Sequence, residues 1–366
     1  MKQILLILIF FFSVNISIGQ IHVNMGVDTS SQQVQSAISF MESYIKDFKD
    51  DRKVNFAEYY SDESLKKYEK PDKIAYSLIG DNPVYIMGQP TLLSAKENND
   101  TVRLKLQFAE CDSSGNISTY FISNHIISTY QAKAKFLVNL DVNTSSWNET
   151  KIRNIRYHYP NYHSFDSLLV YNTIDRIKKL EKEWNLSPEK IDYYFAKTNQ
   201  EIQKIRGFDF NFYMGGNEVP TGLADVRDNL IFTSGLNEGN FHEIVHIYLN
   251  KEYPDSPFKE GIAVYYGGSL GHNLRWHLNK LKAFINEHPK VKIDNSQSFY
   301  YLDSETNPQY AIQGLLCHLA YEKGGVEGLK KLMNYKNIEQ IYTDYFRVKE
   351  EKVNEFLKEE IKKYCQ

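Results

Sequence analysis

Two histidines four residues apart in His242-Glu243-Ile244-Val245-His246 constrain this chain more than any other stretch, because a helix is the conformation that lets them act together. At 3.6 residues per turn, positions i and i+4 differ by about 40° around the axis, so both imidazoles reach one metal ion with the Glu243 carboxylate beside it. Zinc is the expected ion, one per chain, since it takes neutral imidazole nitrogen readily and carries a water that Glu243 could deprotonate. The segment has a second reading. Asn240 as N-cap with Glu243 at the third helical position would be a capping box, which explains the glutamate and leaves the histidines incidental.

A zinc site that does chemistry needs a third protein ligand and one open position. After His246 the apolar helix pattern runs into Tyr253-Pro254-Asp255-Ser256-Pro257, a strong break, and Ser256 with Pro257 reads as N-cap and first residue of a new helix over Phe258 to Tyr266. Two helices joined by so short a turn pack antiparallel or sharply crossed, which returns Glu260, in the first turn of the second, toward the histidines. Ala263, three residues on, is small enough to let the helices approach there. Glu260 is therefore the expected third ligand. By residue type alone the alternatives are Glu252 and Asp255 in the turn and His272 and His277 after the second helix. The residue six after His246 is Glu252 rather than histidine, so the metzincin continuation fails.

H-E-I-V-H followed by E-G-I-A-V-Y-Y resembles the gluzincin zinc peptidases, and within them the peptidase MA-like family. The similarity runs from about Ser164 to Tyr335 and extends to Tyr266-Gly267-Gly268-Ser269, to Tyr310-Ala311 and to Tyr321-Glu322-Lys323-Gly324-Gly325. It implies His242, His246 and Glu260 as ligands, Glu243 as general base, and a peptide or protein substrate. It also implies a small sheet before the metal-binding helix, whose edge strand can hold an extended peptide, although the sequence does not say which strand is the edge. The 13 residues between His246 and Glu260 are fewer than in the best-known gluzincins, and Val264 stands where the thermolysin-type arrangement has an aspartate bracing a histidine. The sequence thus names no partner for the outer ring nitrogens, which metal-binding histidines normally have.

The chain opens as an exported protein does. Lys2, the apolar run Ile4 to Phe12 and the small-x-small triplet Ser17-Ile18-Gly19 read as a signal peptide over residues 1–19, with no cysteine at the cleavage site for a lipid anchor. No later stretch approaches the roughly 18 apolar residues of a membrane span, so a secreted or periplasmic protein is expected. With 43 basic and 46 acidic residues and no basic run, nucleic acid is not an expected partner. Three cysteines allow one disulfide at most, and Cys317 inside Leu315-Leu316-Cys317 reads as a small buried hydrophobe.

The remaining chain is long enough for two domains. The expected class is α+β: an accessory domain over residues 20–160, a helix on an antiparallel sheet, and then a mainly helical gluzincin-like peptidase domain with a small sheet over residues 161–366. Val34, Ile38, Met41, Ile45 and Phe48 mark one helix face, Val102, Leu104, Leu106 and Phe108 alternate with polar residues, and a similar alternation runs through Lys133 to Val142. Asn98-Asn99-Asp100 and Asp112-Ser113-Ser114-Gly115 supply turns. The boundary is expected at Tyr157 to Asp166, around Pro160. Beyond it a helix runs from Leu168 to Trp184, and Ile191 to Phe195 and Leu230 to Thr233 read as strands.

These residues imply a zinc metallopeptidase in which Glu243 takes the proton of the attacking water and hands it to the leaving amine. Tyr310, one turn into a helix opened by Asn307-Pro308, is the expected donor to the oxyanion, with Tyr300 and Tyr301 next in line. Two other classes would use the same residues: a zinc hydrolase with a non-peptide substrate, and a binding protein that keeps the fold without turnover.

Overall fold

A computed structural model describes residues 20–50, 54–76, 83–130, 133–212, 221–235, 237–294 and 305–366. The expected signal peptide, Tyr300 and Tyr301 lie outside the described residues. The chain is α+β. It divides into two units, the first holding the described parts of Met1–Lys67, Pro71–Asn139 and Gly207–Tyr213, the second those of Tyr68–Lys70, Leu140–Arg206 and Met214–Gln366.

In the first unit the two periodicities become a helix on a sheet. α1 (Gln32–Asp50) buries Val34, Ile38, Met41, Ile45 and Phe48, the face its 3.6-residue spacing marks, together with Tyr44. It packs on β2 (Gln89–Asn98) and β3 (Thr101–Cys111), with the short helices α2 (Phe56–Tyr59) and α3 (Asp62–Lys67) following it in the chain. Val102, Leu104, Leu106 and Phe108 of β3 are fully buried, as a strand with one face on the core requires. The sheet runs β1 (His22–Val23), β2, β3, β4 (Ile117–Ser128), β5 (Lys135–Leu137), antiparallel apart from β1 on β2. Both expected turns form, with Asn99 at φ 51° and Gly115 at φ 84° supplying the left-handed backbone.

The alternation over Lys133 to Val142 gives only the three-residue β5, after which the chain coils into α4 (Asn139–Asn143). The side-chain amide of Asn139 donates to the Asn124 carbonyl at 2.9 Å, and the Asn124 N–H is taken by Gly207 O at 2.7 Å, so the next ladder position is already satisfied and pairing stops there.

The second unit is built on a mixed sheet in the order β10-β11-β8-β7-β6. β6 (Asn148–Ile152) and β7 (Ile155–Tyr159) form a hairpin, β7 runs parallel to β8 (Ile191–Ala196), β8 parallel to β11 (Leu230–Ser234), and β10 (Gly222–Asp225) antiparallel to β11. The hairpin therefore precedes the expected boundary at Pro160 yet belongs to this sheet. Ile155, Tyr157 and Tyr159 face the same core as Ile174, Ile177 and Leu180 of α5 (Ser167–Trp184). After α6 (Asn199–Arg206) the chain makes the opposite excursion, and β9 (Phe208–Asn211) pairs with β4 of the first unit's sheet.

Helices complete the second unit: α7 (Phe241–Glu252), α8 (Lys259–Gly267), α9 (Leu274–Glu287), α10 (Pro308–Met333), α11 (Ile338–Asp344) and α12 (Val353–Tyr364). α10 bends at Gly324 and Gly325, where the backbone leaves the helical region. Ile244, Val245, Ile247 and Leu249 of α7 and Ile262 and Val264 of α8 are buried in one core, each contributing about 1.5–3 kcal/mol. A Cβ on Gly261 would stand 2.5 Å from the Cβ of Gln313, so α8 and α10 touch backbone to backbone beside Glu260. Among the described residues no helix is long and apolar enough to cross a membrane. All three cysteines are free, with Cys317 buried.

Candidate metal centre

The start of α7 is fixed by Tyr193 of β8, whose buried hydroxyl donates to Asn237 O at 2.7 Å and accepts from Asn240 N–H at 3.1 Å. A capping box would send that N–H to the Glu243 carboxylate. It does not form, and the Asn240 side chain caps nothing either. Glu243 is left 7% exposed with no hydrogen bond among the described residues. It lies against Gly222 of β10, where an added Cβ would stand 2.2 Å from Glu243 Oε1.

One turn apart, His242 and His246 point the same way, with Nε2 atoms 3.1 Å apart. Glu260 closes the triangle from α8, with Oε2 3.4 Å from His242 Nε2 and Oε1 3.6 Å from His246 Nε2. Ligand atoms about 2.0–2.2 Å from a tetrahedral zinc lie roughly 3.3–3.6 Å from each other, which both histidine–glutamate distances match and the 3.1 Å between the imidazoles approaches. The helix carrying Glu260 begins at Lys259, two residues later than the Ser256-Pro257 signal suggests, because Ser256 Oγ accepts from Phe258 N–H in a turn of its own. Gly267 brings the end of α8 close to the start of α7, since an added Cβ there would meet the His242 backbone N at 2.5 Å, and Ala263 is fully buried in the same core.

The outer nitrogens decide which way the ring lone pairs face. His242 Nδ1 stands 2.7 Å from Gly268 O, which can only accept, so Nδ1 carries the proton and Nε2 presents its lone pair to the triangle. His246 Nδ1 stands 3.1 Å from the side-chain amide nitrogen of Asn250, while Asn250 Oδ1 is buried without a partner among the described residues. The two orientations of that amide differ by a half-turn, and the one with Oδ1 toward His246 satisfies both the oxygen and an Nδ1–H. With both rings neutral, two imidazole lone pairs and a carboxylate would face one another at 3.1–3.6 Å, a donor set that suits a cation. The residues present fit zinc.

Without an ion the same three groups pair among themselves, His242 holding a proton toward Glu260 that a bound metal would have to displace. Burial opposes charge on His242, but its hydrogen bond with Glu260 and the Glu243 and Glu260 carboxylates outweigh that and lift it to about 9. Burial likewise opposes ionisation of Glu260, and the two histidines overcome it, holding the carboxyl well below its usual range. Glu243 goes the other way: burial raises it, against the pull of His242 and His246.

The site opens into a cleft of about 780 Å³ lined by α7, the glycine-rich loop after α8, the start of α10 and β10. Ser234 N–H donates to Thr221 O, so in the alternating antiparallel ladder the backbone groups of Gly222 and Ala224 face away from β11. Among the described residues no strand pairs with β10 on that side. Tyr310 lines the cleft one turn into α10, with Asn307 Oδ1 accepting from Gln309 and Tyr310 N–H as an N-cap should. Of the alternative ligands, His272 lines the cleft but lies flat on Trp276, ring centroids 3.6 Å apart. His277 is buried between Ser269 O and Thr306 Oγ1, Asp255 pairs with Lys336, and Glu252 is exposed at the end of α7. None of these four joins the His242, His246, Glu260 group.

Sequence reasoning passed over Asn250, the Gly268 carbonyl and Gly222. Asn250 had a signal, since it lies four residues after His246 and hence on the same helix face. The other two act through backbone position and left none. No family model, curated protein or solved structure matches the chain.

Proposed function

We propose that the protein is an exported zinc metallopeptidase of gluzincin type. The observation that carries this reading is the triangle of His242 Nε2, His246 Nε2 and a Glu260 oxygen at zinc-ligand spacing, with the unbonded Glu243 carboxylate beside it. Zinc held there would polarise a carbonyl and make a water acidic enough to lose its proton near neutral pH. Glu243 is the group that takes that proton: it is buried beside the triangle and accepts no hydrogen bond among the described residues, so its oxygens are open to a water there. It then returns the proton to the leaving amine. Gly268 O and Asn250 keep the ring lone pairs aimed at the ion, and Tyr310 stands at the cleft wall as donor to the oxygen that gains charge.

A peptide is favoured over other acyl substrates by β10. Its outward backbone groups at Gly222 and Ala224 lie along the cleft beside Glu243 and can pair with an extended chain. Elemental analysis of protein purified without chelator should give about one zinc per chain, and turnover on a mixed peptide library should disappear with chelator and return with zinc. Full zinc with no peptide cleavage would favour a non-peptide hydrolase or a binding protein. Zinc content undiminished in Glu260→Ala would remove that residue from the ligand set.

A further inference from the structure

We infer that Arg176 forms a subsite in this cleft for a carboxylate of the bound peptide, either an Asp or Glu side chain or the C-terminal carboxylate; the ligand class rests on the peptidase reading above. Arg176 is the only lysine or arginine among the described residues that line the cleft, where the acidic lining residues are Glu243 and Glu260. With a dication held by the triangle, the two carboxylates balance it and Arg176 leaves one positive charge over. A ligand bearing a single negative charge would complete the balance.

The guanidinium is also held ready. Its carbon lies 4.1 Å from the centre of the Phe241 ring, and Nη2 donates to Tyr266 O at 2.5 Å. Phe241 immediately precedes His242, and Tyr266 immediately precedes the Gly267-Gly268 pair that packs against His242, so the arginine is anchored on the two segments that build the metal site. Stacked on one face and tethered at one nitrogen, it has already lost the side-chain freedom that binding would otherwise cost. Elsewhere in the same unit Arg153 forks onto Glu181 and Arg156 pairs with Asp192. Among the described residues Arg176 makes no ion pair and its Nε–H and Nη1–H groups have no protein partner, and the side chain is open to solvent. Those donors are the ones a planar carboxylate accepts from.

The test uses the full chain carrying Glu243→Gln and loaded with zinc, so that peptides bind without being cut. Fluorescence polarisation would compare labelled peptides in pairs that differ only as Glu against Gln at one position, or as C-terminal acid against amide. We expect at least one pair in which the acid binds roughly 10-fold more tightly, and which pair it is identifies the source of the carboxylate. Adding Arg176→Met should erase that difference by weakening the acid alone, with the neutral peptide unchanged, and Arg176→Lys, which keeps the charge without the fork, should fall between. If Arg176→Met does not fold, the reduced preference of Arg176→Lys carries the test. Equal binding within every pair, a preference that survives at position 176, or no binding of any peptide would overturn the inference. Carboxylate preference without turnover in the parent would instead overturn the peptidase reading alone, and turnover without preference would leave that reading standing and remove Arg176.

Discussion

Both units of the chain bury carboxylates, and Asp72 in the first and Glu243 in the second are treated in opposite ways. Asp72 in the first unit accepts four hydrogen bonds: from the Tyr44 and Tyr85 hydroxyls at 2.7 and 2.9 Å and from the Ile74 and Ala75 N–H groups at 2.8 and 3.0 Å. Glu243 in the second unit accepts none among the described residues and faces a cleft beside two imidazoles. Burial raises both acids above their ordinary values, opposed at Asp72 by its donors and at Glu243 by His242 and His246. A buried charge with every lone pair occupied is a fastening. One left without donors costs stability that packing elsewhere must offset, and such groups gather where chemistry is done.

The largest effect that tests this contrast is on stability. Asp72→Ala strands two tyrosine hydroxyls and two backbone N–H groups, and should lower the unfolding free energy by about 3–5 kcal/mol in urea melts while turnover per folded molecule stays at the parent level. The pH dependence has a definite sign. Because the folded state raises the Asp72 pKa, it binds that proton more tightly than the unfolded chain, so this term favours the fold below about pH 4 and is lost as pH climbs through the raised value. Asp72→Asn should flatten that slope. Glu243→Gln should do the reverse of Asp72→Ala: melting unchanged or higher, zinc retained, and turnover down by roughly 10²-fold or more. In the parent, turnover should fall on the acid side as Glu243 takes up a proton, since only the ionised carboxylate accepts one. Destabilisation by Glu243→Gln comparable to that of Asp72→Ala would erase the distinction between the two carboxylates.

The helix and strand faces were legible because burial follows period: Val34 to Phe48 on α1 and Val102 to Phe108 on β3 are buried at the positions their spacing marks. So was the grouping of His242, His246 and Glu260, since the two histidines share a helix face and the Tyr253 to Pro257 break returns Glu260 to them. What was not legible depends on contacts distant in sequence. Nothing local says that Tyr157 and Tyr159 join Tyr193 and Phe195 in one core, which moves the hairpin past its apparent boundary, or that Asn139 ends β5 by taking the Asn124 carbonyl. The capping-box reading of Asn240 and Glu243 was equally consistent with local sequence, and Tyr193, 47 residues upstream of Asn240, decided it by taking the Asn240 N–H.

A smaller effect sharpens the contrast within the metal site. If Asn250 Oδ1 accepts from His246 Nδ1–H, Asn250→Ala should weaken zinc by roughly 10- to 100-fold in competition with a chromophoric chelator, with little change in melting of the metal-free protein. Asn250→Asp supplies an acceptor at the same place and should hold zinc as well as the parent or better. Loss of zinc in the Asp variant equal to that in the Ala variant would mean that the amide donates to His246 instead.

Tyr310→Phe has the smallest expected effect and separates the cleft's chemistry from its packing. The ring is half-buried against the core of the second unit, and its N–H is tied to Asn307 at the start of α10, so Phe preserves the packing and the cap. What changes is one hydroxyl at the cleft wall. If that hydroxyl donates to the oxygen that gains charge, kcat should fall about 10-fold with KM nearly constant, because the bond strengthens only as the charge develops. Zinc content and the Glu243-dependent acid limb should not move, which distinguishes this loss from disturbance of the metal or the base. A kcat within about twofold of the parent would assign Tyr310 to the wall alone, and His272, held on Trp276 in the same cleft, would become the next donor to replace.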